Sequence, residues 1–98
     1  MEKIVRDGMV AVAVSRDFGA GWSTWNDISP MDARFNQLFL DDEVGEVERI
    51  CAEENLGYSG GAKNVEIEWV PVGTRFVINE YDGSESVMTI DDFGWMEA

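Results

Sequence analysis

Asp7-Gly8-Met9-Val10-Ala11-Val12-Ala13-Val14-Ser15 is the stretch whose reading decides the fold. The Lys3–Arg6 and Met9–Ser15 segments flank Asp7-Gly8, a dipeptide that accepts the two positive φ angles of a two-residue hairpin turn. In the second strand Val10, Val12 and Val14 share one side, while Ala11 and Ala13 stand on the other. Side chains that small predict an element packed closely against their face, and a helix fits that role.

Downstream, the apolar period changes. Val44, Val47, Ile50 and Cys51 recur at three-to-four spacing, while Glu46, Glu48, Glu53 and Glu54 fall mostly elsewhere. This predicts one main helix over about 42–54. Asp41-Asp42-Glu43 sets acids at its first turn, where they are expected to cap free N–H groups and suit the positive dipole end. Gly57 is the expected stop. Gly45 either weakens this helix or admits a neighbouring element. Residues 33–40 predict a second, shorter helix with Phe35, Leu38 and Phe39 facing inward.

The C-terminal half predicts a β-meander. Val65, Ile67 and Trp69 alternate with Glu66 and Glu68, as a strand with one dry and one wet face should. Pro71-Val72-Gly73 is expected to turn this strand into the next, Thr74 to Tyr81, with Phe76 and Ile78 on one face. Asp82-Gly83 then turns the chain into a last strand over 85–90. The fold class is α+β: an antiparallel sheet of about four to six strands with the main helix packed on it, all within a single domain spanning residues 1–98.

Charge and composition narrow the function. The chain has 98 residues, 45% of them apolar, and a net charge of −13. That balance argues against direct binding of nucleic acid or an anionic membrane. With no His and one Cys, neither a common zinc site nor an intrachain disulfide is expected, and no metal or cofactor is implied. No apolar run approaches the roughly 20 residues of a membrane span, and the N-terminus lacks a signal-peptide pattern, so a cytosolic location is expected. Residues 1–40 carry a net −1 and residues 41–98 a net −12. The acids concentrate in Asp41 to Glu54 and in Glu80 to Glu97. They form either a solvated face or a negative surface for a basic partner, in which case Asp41, Asp42, Glu43, Glu46, Glu80, Asp82 and Glu85 are the candidates.

One other segment could carry chemistry. Phe18-Gly19-Ala20-Gly21-Trp22-Ser23-Thr24-Trp25-Asn26 gathers glycines, aromatics and small polar side chains. It is a poor dinucleotide fingerprint, since Thr24 stands where a third Gly belongs, and no P-loop Lys is present. As a ligand loop it offers backbone N–H groups, hydrogen bonds from Ser23, Thr24 and Asn26, and a stacking ring from Trp22 or Trp25, with Arg75 or Arg16 as a phosphate contact. Alternatively both tryptophans fill the core. Glu66 with Glu68, or Glu80 with Asp82, share a strand face, but exposed pairs lack the cleft that shifts a catalytic pKa. Cys51 lies on the apolar helix face with no His to activate it. An enzyme is not expected.

The Phe18–Asn26 run resembles a group of small acidic tailed-bacteriophage proteins of unassigned function. So do Gly60-Gly61-Ala62, Glu66 to Pro71, Gly73 to Phe76 and Glu80 to Ser86. The resemblance implies a viral protein acting in the host bacterial cytoplasm and carries no catalytic residues. Such accessory proteins often block a host component, including defence factors. Two functions follow from it. One is an inhibitor whose carboxylates stand in for phosphates against a basic host protein surface. The other is a homo-oligomeric sponge that sequesters a nucleotide-like immune signal at the Gly/Trp-rich loop. A virion or packaging accessory protein is a further alternative.

Overall fold

The computed structural model describes residues 2–89. Val5–Arg6 (β1) and Met9–Ser15 (β2) form the first hairpin, with Arg6 opposite Met9. Asp7 and Gly8 have φ of 52° and 75°, as a two-residue turn matched to strand twist requires. Val65–Pro71 (β3) pairs antiparallel along the whole of β2, from Met9 opposite Pro71 to Ser15 opposite Val65. The sheet order is β1-β2-β3.

A second, two-stranded antiparallel sheet is made by Phe76–Tyr81 (β4) and Ser84–Thr89 (β5), turned at Asp82-Gly83 with φ of 50° and 88°. The expected single sheet is thus divided into three strands and two. Pro71-Val72-Gly73 does turn the chain, with Thr74 N–H bonded to Pro71 C=O at 3.1 Å, but β4 does not pair with β3. Burial gives the reason. Val12, Val14 and Val70 would face water if β4 merely extended the sheet. Instead the β4–β5 hairpin lays Phe76, Ile78 and Val87 over them. Ile90 of the expected last strand lies outside the described residues.

The opposite, alanine face carries the helices. Ala33–Leu40 (α1) and Val44–Glu53 (α2) enclose a cluster of Ala13, Trp22, Ile28, Phe35, Val47, Cys51 and Ala62. Ala11 and Ala13 permit the approach: Asn36 of α1, fully buried, donates from Nδ2 to Ala11 C=O at 3.0 Å and to Pro30 C=O at 2.9 Å. The shorter helix matches its expected bounds, and the main one falls within its expected range. Cys51 is 2% exposed, and burial pushes its thiol pKa up.

The helix ends differ from expectation. Glu43 caps nothing with its side chain, and Asp41 accepts from Gln37 Nε2 at 3.1 Å. Asp41 to Glu43 instead close α1: Asp42 has φ 59°, its N–H reaches Phe39 C=O, and Glu43 N–H reaches Leu38 C=O. These are the two bonds of a Schellman ending. Asp32 is the side chain that caps a helix, accepting from Arg34 N–H at 2.9 Å and Phe35 N–H at 3.3 Å at the start of α1. The main helix ends at Glu53, four residues before Gly57, and the chain leaves it through Asn55 at φ 54°, with Leu56 N–H on Cys51 C=O. Gly45 faces open space, with no neighbour among the described residues within 4 Å of a Cβ placed there.

Candidate functional site

The Phe18–Asn26 loop lies at the Ser15 end of β2, and a buried carboxylate holds it there. Glu85 at the start of β5 is 1% exposed. Its Oε1 accepts from Ser15 N–H at 2.9 Å. Its Oε2 accepts from Trp22 N–H at 2.9 Å, Thr24 N–H at 3.1 Å and the Thr24 hydroxyl at 2.5 Å. Alternate N–H groups on this edge of β2 thereby find three different acceptors: Ile4 C=O for Ala11, Pro30 C=O for Ala13, and Glu85 for Ser15. A carboxylate finishes an edge that β1 is too short to cover. The same group accepts the Trp22 and Thr24 amides around the short 3-10 turn Ser23–Trp25.

Further bonds strap the loop down. The Ser15 hydroxyl donates to Ala20 C=O at 2.6 Å, the Ser84 hydroxyl to Arg16 C=O at 3.1 Å, and Gly19 N–H to Asp82 C=O. The chain also passes very near Gly61, where a Cβ would lie 2.6 Å from the Gly21 carbonyl carbon. Backbone cannot yield there as a side-chain tip can. Gly61→Ala is therefore expected to cost about 2–3 kcal/mol, read as a lower urea midpoint, and an unchanged midpoint would refute the close approach.

Each candidate loop residue now has a place. Trp22 is fully buried and meets Phe35 and Phe39 edge-on at 5.9 and 5.2 Å. Ser23 is half-buried, and Thr24 is committed to Glu85. Asn26 is spent on the backbone, accepting from Ile28 N–H and donating to Tyr58 C=O. Trp25 remains 37% exposed, donates from Nε1 to Glu80 at 3.2 Å, and lies 5.3 Å from the Tyr58 ring. Phe18 and Tyr81, both exposed, meet edge-on at 6.2 Å. Gly19 has φ 85°, whereas Gly21 does not need a positive φ.

The two cations expected near the loop do not serve it. Arg75 immediately precedes β4, whose opposite end reaches the loop, so the structure does not bring it there. Arg16 is engaged by Glu66 at 3.1 Å and by Glu68. Burial pulls the Arg16 pKa down, but the Glu68 and Glu66 bonds and charges outweigh it and leave the value raised. A cleft of about 190 Å³ lined by Lys3, Val10, Met31, Val70 and Phe76 lies at that other end of the hairpin.

The acidic candidates divide. Asp41, Asp42 and Glu43 are exposed in the helical layer, and Glu46 accepts from Arg49, whose hydrogen bond holds the Glu46 carboxyl below its usual value. Glu80 and Asp82 belong to the hairpin layer, where Glu80 Oε2 also accepts from Gly83 N–H at 2.6 Å. Glu85 is not part of any acidic surface. Its carboxylate points inward because it shares a strand face with Val87, two residues on, which packs on the valine core. That period-2 relation was the available sequence signal for its role. Asn36 and Tyr58 had no comparable signal. The acidic run beyond Glu85, with Asp91, Asp92 and Glu97, lies outside the described residues.

Among the described residues no group of three His, Cys, Asp or Glu side chains is placed to hold a metal ion, and no helix is long and apolar enough to cross a membrane. Comparison with protein-family models, curated proteins and solved structures finds no match to this chain.

Proposed function

We propose that this chain is a non-enzymatic bacteriophage accessory protein that binds and blocks a basic surface of a host component, a defence factor in the bacterial cytoplasm. One observation carries the reading: the arginines near the acids are already spent. Arg34 pairs with Glu54 at 3.0 Å, Arg49 with Glu46 and Glu53, and Arg16 with Glu66 and Glu68. The exposed Asp41-Asp42-Glu43 corner between the helices has no cationic partner among the described residues. Unbalanced charge of this kind costs stability through self-repulsion, which a basic partner would relieve. The sponge reading has less support, since the loop amides a phosphate would use already face the Glu85 carboxylate.

The test is capture from a bacterial host lysate on the immobilised wild type and on a variant carrying Asp41→Asn, Asp42→Asn, Glu43→Gln and Glu46→Gln. A partner held by the wild type at low salt is expected to be released as ionic strength passes the range where screening reaches about 8 Å. The variant is expected to bind it about tenfold more weakly. Its melting temperature should stay close to that of the wild type, because exposed charges contribute little to folding. Equal capture by both proteins would sink the proposal for this corner. A nucleotide co-purifying with the wild type would favour the sponge.

A further inference from the structure

Trp25 and Tyr58 form an exposed aromatic pair whose rings the fold holds in place. Gly21 and Gly60 both lack the positive φ that would explain a glycine by backbone need. Their missing side chains make room for the two rings. A Cβ on Gly21 would lie 2.7 Å from Trp25 Cδ1, and one on Gly60 would lie 2.5 Å from Tyr58 Cζ. Each ring therefore rests on bare backbone. The indole is also tied by Nε1 to Glu80, and Asn26 Nδ2 bonds the Tyr58 carbonyl at 3.0 Å. Rings ordered in advance lose little entropy on binding, which is how aromatic anchors in interfaces work. Yet Trp25 stays 37% exposed and Tyr58 44% exposed, so the pair is not simply core.

The surrounding chemistry names the occupant. Both bonds to Glu80 use Oε2, from Trp25 Nε1 and Gly83 N–H, and Oε1 has no hydrogen-bond partner among the described residues. Asp27 and Asp82 are exposed within two residues of this trio in sequence. An aromatic face beside a carboxylate, in a chain of net charge −13, is complementary to a planar cation. Arginine stacks its planar guanidinium on aromatic rings while donating sideways to the remaining Oε1, which the compact ammonium of lysine does not do.

We propose that Trp25, Tyr58 and Glu80 form the seat for an arginine side chain of a protein partner. This rests on the reading of the chain as a binder of basic surfaces, and adds a site distinct from the Asp41–Glu43 corner.

The probe is a short Gly/Ser peptide with two arginines, titrated into the 15N-labelled protein while the indole N–H signals are followed. The Trp25 signal, assigned by its absence from Trp25→Leu, is expected to move saturably while that of buried Trp22 stays fixed. A peptide with citrulline in place of arginine keeps the shape and loses the charge, and should bind at least fivefold more weakly. Glu80→Gln, Tyr58→Leu and Gly60→Ala should each weaken the arginine peptide about fivefold, the last by unseating the Tyr58 ring. Amide spectra of each variant report whether it is folded, and three independent substitutions keep the test decisive if one is not. No movement of Trp25, or equal binding of the citrulline peptide, would overturn the proposal. So would a Trp25 response to adenosine monophosphate instead, which would point to base stacking. If a host partner needs the Asp41–Glu46 acids but binds Trp25→Leu normally, the arginine seat fails while the acidic-binder reading stands. If the peptide binds and no acid-dependent partner exists, the reverse holds.

Discussion

Glu85→Ala is expected to lower the free energy of unfolding by about 4 kcal/mol. The buried Ser15 and Trp22 amides lose the only acceptor they have among the described residues, and the Thr24 amide and hydroxyl lose the same carboxylate. An unpaired buried donor costs roughly 1–3 kcal/mol, and bonds to a charged acceptor are at the strong end of the scale. Relief from desolvating a carboxylate offsets part of that loss. A domain stable by about 5–15 kcal/mol in total would be left marginal. Glu85→Gln should cost less, about 1–2 kcal/mol, because its amide carbonyl can serve the Oε2 donors while its NH₂ group opposes only Ser15 N–H. Urea unfolding followed by far-UV circular dichroism measures both. A loss below about 1 kcal/mol for the alanine variant would mean that the carboxylate is not the anchor of the loop.

Trp22→Ala is expected to cost about 3–5 kcal/mol. The ring is fully buried between α1 and the sheet, so truncation leaves a cavity lined by Phe35 and Phe39 that rigid neighbours cannot fill. Trp22→Phe should be milder, since the buried Nε1–H has no partner among the described residues and its removal loses no bond to them. Trp25→Ala, at a half-exposed position, should cost about 1 kcal/mol. The two tryptophans are only three positions apart, and their melting temperatures should separate clearly. If Trp22→Ala and Trp25→Ala melted alike, the division of this loop into a buried plug and an exposed ring would be wrong.

That division was not legible in Phe18–Asn26 itself. A run of glycines, aromatics and small polar residues is compatible with a ligand loop and with a core plug, because neither use requires a local period. What separates them is the position of a residue about sixty places away. Glu85 is one acid among the 20 of the chain, and nothing in its own neighbourhood except the inward Val87 marks it as interior. The Asp41-Asp42-Glu43 acids show the converse difficulty. Acids before an amphipathic run are a common capping pattern, yet here a Schellman ending of α1 uses the same residues first, and Asp32 is the side chain that caps.

The sequence by itself determined whatever depends on neighbours within a few residues. Asp7-Gly8 and Asp82-Gly83 make tight turns because each pair tolerates two positive φ angles, whatever the rest of the chain does. The bounds of α1 and the approximate extent of α2 follow from periodicity, and the small alanine face of β2 called for the helices that cover it. Tertiary structure alone decided that β3 pairs with β2 and not with β4. It also decided that the β4–β5 hairpin crosses to cover the valine face, and that Glu85 ends the open edge of β2. The physical reason is common to all three. Local rules specify which groups need burial or a hydrogen bond, but which distant segment supplies it depends on covering every dry face and satisfying every buried amide at the same time.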